Sequence, residues 1–472
     1  MPTEPSVPER PTAAPLSASA RLVSLDAYRG FIMLAMASAG LGLSEVAKKI
    51  PSDSSWAPFW QVLGYQADHV KWTGCSFWDL IQPSFMFMVG VAMPFSYASR
   101  RAKGESRGRI TVHVFVRSIV LILLGIFLSS NWSAHTEFTF VNVLTQIGLG
   151  YWFVFLLLNA RAWIQLLTVG AVLGVYWYLF AAHPLPPRNT DWKKLGVSEA
   201  ERFPDPRAGQ EEPEQPRRPR SRGAAPGRES APAPEQKAPR NDYFGAAAHW
   251  DKGLNFAAEV DVIFLSLFPN AKPINTGGYT TLNFVPSIAT MIFGLMAGEW
   301  LRRSVTARRK FFVLVLAGCV CLLTGMVIDH TIWPDWLAEG VSKIADSVGL
   351  GSAPFFDRGW TLCPIVKRIW TPSWAIFSAG WTFLMLAGFY WIIDLKGYRA
   401  WSFPLIVVGM NSIAVYCMAQ LMKPWIRDTL KRHLGQHIFE GTYGPIVQNA
   451  SVVFVIWLIA LWMYRRKIFV RI

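Results

Sequence analysis

The stretch DHVKWTGCSFWDLIQPSFMFMVG, residues 68–90, holds a histidine, two aspartates and two tryptophans directly ahead of an apolar run. From Leu80 onward it reads as a helix apolar enough to enter lipid, with Pro83 near its start. A bundle accepts such a proline because neighbouring helices satisfy the freed carbonyl. A titratable cluster at the lip of a membrane span is costly unless it has a task.

The rest of the chain repeats that apolar pattern. Of 472 residues, 52% are hydrophobic and 16% charged, and the mean hydropathy is +0.26. This is far from the charge-rich profile of a soluble enzyme. Runs long enough to cross ~30 Å of hydrocarbon are expected at 25–46, 77–99, 110–130, 138–158, 162–182, 281–301, 311–328, 373–393, 403–421 and 446–464. The expected fold is therefore an all-α, polytopic membrane helix bundle of about ten transmembrane helices. Residues 1–20 are polar and proline-rich without an apolar core, so a disordered tail is expected there rather than a signal peptide.

The formal charge of +15 is carried in alternate loops: RRAKGESRGR (100–109), RRSVTARRK (302–310), LKGYR (395–399) and YRRK (464–467). The positive-inside rule makes these loops, and both termini, cytoplasmic. The intervening loop NWSAHTE (131–137) has no Lys or Arg, and His69 falls on the far side. Topology and anionic headgroups account for the basic loops, so membrane lipids are expected partners and nucleic acid is not. Residues 203–240 are rich in Pro, Arg, Glu and Gly and poor in large apolar side chains, which predicts a disordered insert. It divides 21–182 (spans one to five) from 281–472 (spans six to ten), within an external loop at 183–280. The apolar run 257–268 is too short to span.

Charged groups gather at span ends, among them Asp26, Arg29, Asp79 and Glu299. Arg117 lies two turns inside a span, one turn from His113. It reads either as a snorkelling side chain or as a ligand for phosphate groups. His69 is followed by Trp72 and Gly74, and by Asp79, a carboxylate able to orient an imidazole. His433 and His437 have metal-like spacing, but Lys431 and Arg432 beside them would repel a cation, so no metal is expected. Three of the five cysteines lie in apolar spans and suggest no disulfide framework.

Several blocks resemble the heparan-alpha-glucosaminide N-acetyltransferase family and its bacterial relatives. They are RLVSLDAYRGFIML (21–34), HVKWTGCSFWDLIQPSFMFMVG (69–90), LNFVPSIATMIFGLMAGEWLR (282–302), PIVKRIWTPSW (364–374) and VVGMNSIAVY (407–416). The resemblance implies an acyltransferase that moves an acetyl group from cytoplasmic acetyl-CoA to a glucosamine-like amino sugar across the membrane. It implies His69 as the active histidine, since this residue matches the family's histidine before a D-L-x-x-P-x-F span. Where that family has an asparagine-containing turn after the first span, this chain has ASAGLGLSE (37–45), which leaves the acceptor open between an amine and a hydroxyl.

The resulting assignments are His69 and Asp79 as catalytic, Trp72, Lys367 and Asn411 as substrate-binding, and Arg29 and Arg117 as acetyl-CoA-binding. A bacterial inner membrane is the simplest setting, and a homodimer is compatible with the reading. A flippase or transporter of a sugar-linked metabolite, an O-acetyltransferase of a cell-envelope glycan and an inactive scaffold are the alternatives.

Overall fold

The computed structural model describes residues 22–187, 190–193, 197–198, 201–203, 244–272, 275–347 and 360–470. The expected tail at 1–20 and nearly all of the expected insert at 203–240 lie outside them. Phe203 is described, buried, and donates its N–H to Asp251.

The first half of the chain forms α1 (Val23–Ala37), α2 (Leu43–Lys49), α3 (Ala57–Gln66), α4 (Ile81–Ala102), α5 (Arg107–Ser130), α6 (Val143–Leu156), α7 (Ala162–Ala181) and α8 (Phe256–Leu265). The second half forms α9 (Phe284–Arg302), α10 (Ala307–Ile328), α11 (Asp335–Ser347), α12 (Pro372–Phe389), α13 (Phe403–Gly409), α14 (Ser412–Leu421), α15 (Lys423–Leu434) and α16 (Gly444–Arg465). Helix starts coincide with polar caps. Ser106, Asn142, Asn255, Thr306 and Thr371 each accept an N–H from three residues on, satisfying donors that an N-terminal turn leaves unpaired.

The number of spans differs from the expected ten. Among the described residues, seven helical segments are long and apolar enough to cross a bilayer, and up to nine if two bent pairs each count as one span. The first pair bends by 48° between α1 and the 39–49 segment, where Ala39, Gly40, Leu41 and Gly42 all take positive φ. The second bends by 69° around Asn411. The segment expected to span at 138–158 instead starts at the Asn142 cap and stops after Leu156, ahead of Asn159 at φ 64°. Fourteen residues of helix reach only ~21 Å at 1.5 Å per residue, short of the hydrocarbon thickness. The apolar segment around 257–268 forms the ten-residue α8, too short to cross. The chain is a polytopic helical membrane protein.

α4 and α9 form the centre. Gly90 packs against the Met291 carbonyl and Gly294 against the Phe87 carbonyl, so a Cβ on either would collide with the other helix's backbone. Without a hydrophobic driving force between helices in lipid, such close approach is what holds them together. α10 lies at the periphery and leaves Phe312, Leu316, Val320, Leu323 and Val327 exposed, an apolar stripe at helical spacing suited to lipid.

A second apolar cluster caps the end of the bundle where α4 begins. Trp72, Tyr176, Phe180, Trp250, Val366 and Ile369 are buried together, with Phe180 and Trp250 stacked at 4.3 Å between centroids. Segments 68–80, 244–272, 275–283, 329–347 and 360–371 contribute to this end of the bundle. Trp360–Thr361 pairs in parallel with Phe244–Gly245, and the Gly74 N–H donates to the Ile365 carbonyl at 3.0 Å.

Candidate active site

The cap and the bundle meet at Asp79. This carboxylate is 1% exposed and sits in the single helical turn before α4. Four N–H donors converge on it. The Nδ1 of His69 lies 2.6 Å from Oδ1, and the ammonium of Lys367 donates to the same oxygen at 3.2 Å. The backbone N–H groups of Val70 and Ser76 each donate to Oδ2 at 3.2 Å. The Ser76 hydroxyl lies 2.9 Å from Oδ2. This is the surrounding of a carboxylate anion, which would be prohibitively costly to bury without such partners.

The charge pattern fixes the imidazole. An ionised carboxylate only accepts, so Nδ1 carries the hydrogen shared with Oδ1, and the lone pair of the neutral ring resides on Nε2. Lys367 Nζ lies 3.1 Å from Nδ1, so it stands on the ring edge away from Nε2. The His69 side chain is 38% exposed, with the Trp78 ring 6.4 Å from its own. A buried carboxylate, a buried ammonium group and a partly exposed imidazole therefore share one hydrogen-bonded site.

Lys367 is held there by its neighbours. The Ile365 N–H donates to Asp329 Oδ2 at 2.7 Å, and the Val366 N–H donates to Thr371 Oγ1 at 3.0 Å. Thr371 also caps α12. Burial pushes the Lys367 ammonium below its ordinary value, while the Asp79 charge opposes that push. Burial also raises the nearby Cys75 thiol, and the Asp79 charge adds to the effect.

Of the residues singled out in the sequence, the structure brings together His69, Asp79 and Lys367. Trp72 lies in the same loop but points into the cap. It is 2% exposed and donates its indole N–H to the Trp250 carbonyl. Arg29 pairs with Asp26 at 3.8 Å in the first half of α1. Arg117 stacks over the Tyr151 ring at 4.9 Å, and the Tyr151 hydroxyl lies 2.8 Å from that of Tyr97 on α4. Tyr97 and Asp79 are separated by roughly 27 Å of helix, so Arg117 belongs to the far end. Asn411 is fully buried. Its amide donates to the Ile468 carbonyl and its oxygen accepts from the Val470 N–H, tying down the chain's last described segment.

Arg368 was not singled out from the sequence. Its guanidinium donates to the Gly277 carbonyl at 2.8 Å and to the Val70 carbonyl at 3.4 Å, beside His69. Its only sequence signal was adjacency to Lys367.

No protein-family model matches the chain. It is 21% identical to human heparan-alpha-glucosaminide N-acetyltransferase. The match covers 96% of this chain, and the chain spans 60% of that curated relative's length. The likeness is distant but runs through both halves of the chain that build the site.

Proposed function

We propose that the chain is a transmembrane acyltransferase that takes an acetyl group from acetyl-CoA on one side of the membrane. The acceptor is a glucosamine-like amino sugar bound at His69 on the other. The observation that carries this reading is the convergence of His69, Asp79 and Lys367, joined by the distant likeness to an enzyme named as an N-acetyltransferase. The acetyl group and the glucosaminide acceptor of this reading are taken from that enzyme's activity as its name gives it.

In this reading Nε2 of His69 takes the proton from the acceptor nitrogen as that nitrogen attacks the thioester carbonyl. The carbon–sulfur bond breaks and the CoA thiolate leaves, to be protonated in turn. A covalent variant, in which Nε2 first accepts the acetyl group and the amine then attacks the acetyl-imidazole, uses the same atoms. Asp79 holds the ring by Nδ1 and stabilises its protonated form. Lys367 keeps Asp79 ionised. α4 starts at the His69 site and ends at Arg100 and Arg101, so the basic loops face the opposite compartment, the cytoplasm by their charge. Arg29 and Arg117 are then the candidates to hold the CoA phosphates there.

Proteoliposomes with acetyl-CoA added only outside and glucosamine trapped only inside test the proposal. N-acetylglucosamine formed in the lumen above the level of protein-free vesicles supports it. Product only when both substrates share a compartment contradicts transfer across the membrane.

A further inference from the structure

α3 carries a feature the catalytic reading leaves unused. Residues 54–66, SSWAPFWQVLGYQ, hold no charged side chain, although they lie between two spans in the loop that leads to His69. Trp56, Phe59, Val62 and Tyr65 recur every three residues, and each is more than half exposed. The opposite face is committed to the fold, with Gly64 against Ala47 of α2. A water-facing helix of this composition would be an aggregation hazard, whereas aromatic, uncharged surface at span ends suits the lipid interface.

Two observations favour the bilayer over water or a protein partner as the cover of this face. It continues surface at the ends of spans: Leu41 at the break in the first, Phe77 at the entry to α4, and Tyr443 ahead of α16 are exposed as well, with Tyr443 5.6 Å from the Trp60 ring of α3. α3 is also fastened to the catalytic loop. The Tyr65 hydroxyl donates to the Cys75 carbonyl at 3.4 Å and the Gln66 side chain accepts the Phe77 N–H at 2.8 Å. His69 follows three residues later. The exposed imidazole thus stands at the rim of a surface built for lipid, among exposed Asp68, Lys71 and Phe77.

We infer that α3 lies in the leaflet on the His69 side, and that the acceptor is an amphiphile anchored in that leaflet, whose polar head reaches His69 from the membrane surface. This rests on the acyltransferase reading and narrows its acceptor to a membrane-anchored amino sugar. Anchoring confines the acceptor to the plane in which His69 lies, raising its effective concentration.

The test compares two acceptors with the same head: methyl glucosaminide in the aqueous phase, and glucosamine linked to a dialkylglycerol in the vesicle bilayer. The anchored acceptor should be used with at least tenfold higher kcat/KM. Phe59→Ser with Val62→Ser should abolish that preference and leave turnover of methyl glucosaminide unchanged. Equal use of both acceptors by the wild type, or equal losses on both in the variant, would overturn the inference while leaving the acyltransferase reading intact. No turnover of either would remove both. A readout independent of activity is a nitroxide on Phe59→Cys or Val62→Cys, in protein whose native cysteines are replaced. Collisions with oxygen should exceed those with a water-soluble nickel chelate, and the reverse would overturn the placement of α3.

Discussion

Lys367 and Asp79, 288 positions apart in the chain, meet at 3.2 Å with both side chains almost wholly buried. Their contact binds the two halves of the bundle at the point where His69 is held. Removing one partner of such a pair leaves an uncompensated buried charge, at a typical cost of about 3–5 kcal/mol, whereas removing both is far milder. Asp79→Asn and Lys367→Met should each be strongly destabilised, and the double variant should be more stable than either single one. Thermal unfolding of the four proteins in one detergent measures this, and a double variant as unstable as the summed singles would refute the coupling.

Asp261 on α8 gives a pH dependence of stability. Burial lifts its carboxyl to about 6 from 3.8, against the pull of the Thr281 N–H, which donates to both oxygens. The folded chain then holds this proton over a range in which the unfolded chain has lost it, so its contribution to stability falls as pH rises from about 4 to about 6. The change should be on the order of 3 kcal/mol. Asp261→Asn, which keeps an acceptor for Thr281, should flatten this part of the stability profile.

Between α4 and α9 there is no room for a side chain at Gly294, whose Cβ would meet the Phe87 backbone. Gly294→Leu should separate the central helices and cost several kcal/mol, as overpacking against backbone does. Size-exclusion chromatography in detergent should show loss of the monodisperse species. Leu316→Ala on the exposed face of α10 should leave it unchanged.

How much of this was legible in the sequence depended on range. His69 and Asp79 lie ten residues apart, and the apolar run after Asp79 announced the span, so local reading sufficed. Hydropathy marked ten apolar segments but could not register that Asn142 would cap α6 and Asn159 would end it, since both are single residues in an apolar context. Lys367 came from resemblance rather than from pattern. The bond from Arg368 to Gly277 and that from Trp72 to Trp250 join distant segments of irregular chain, which have no periodicity to read. Trp72 was read from its place beside His69, and that local reading could not show that its side chain is buried in the cap.

The central claim is that His69 is the base or nucleophile of an acetyl transfer. Its most direct test is acceptor-dependent release of free CoA thiol by purified protein in nanodiscs, given acetyl-CoA and a panel of amino sugars, for wild type and His69→Ala. The account predicts release by the wild type and a loss of roughly 10²–10⁴ in the variant, with the variant still folded by thermal unfolding. A folded His69→Ala protein that releases CoA at nearly the wild-type rate would contradict it.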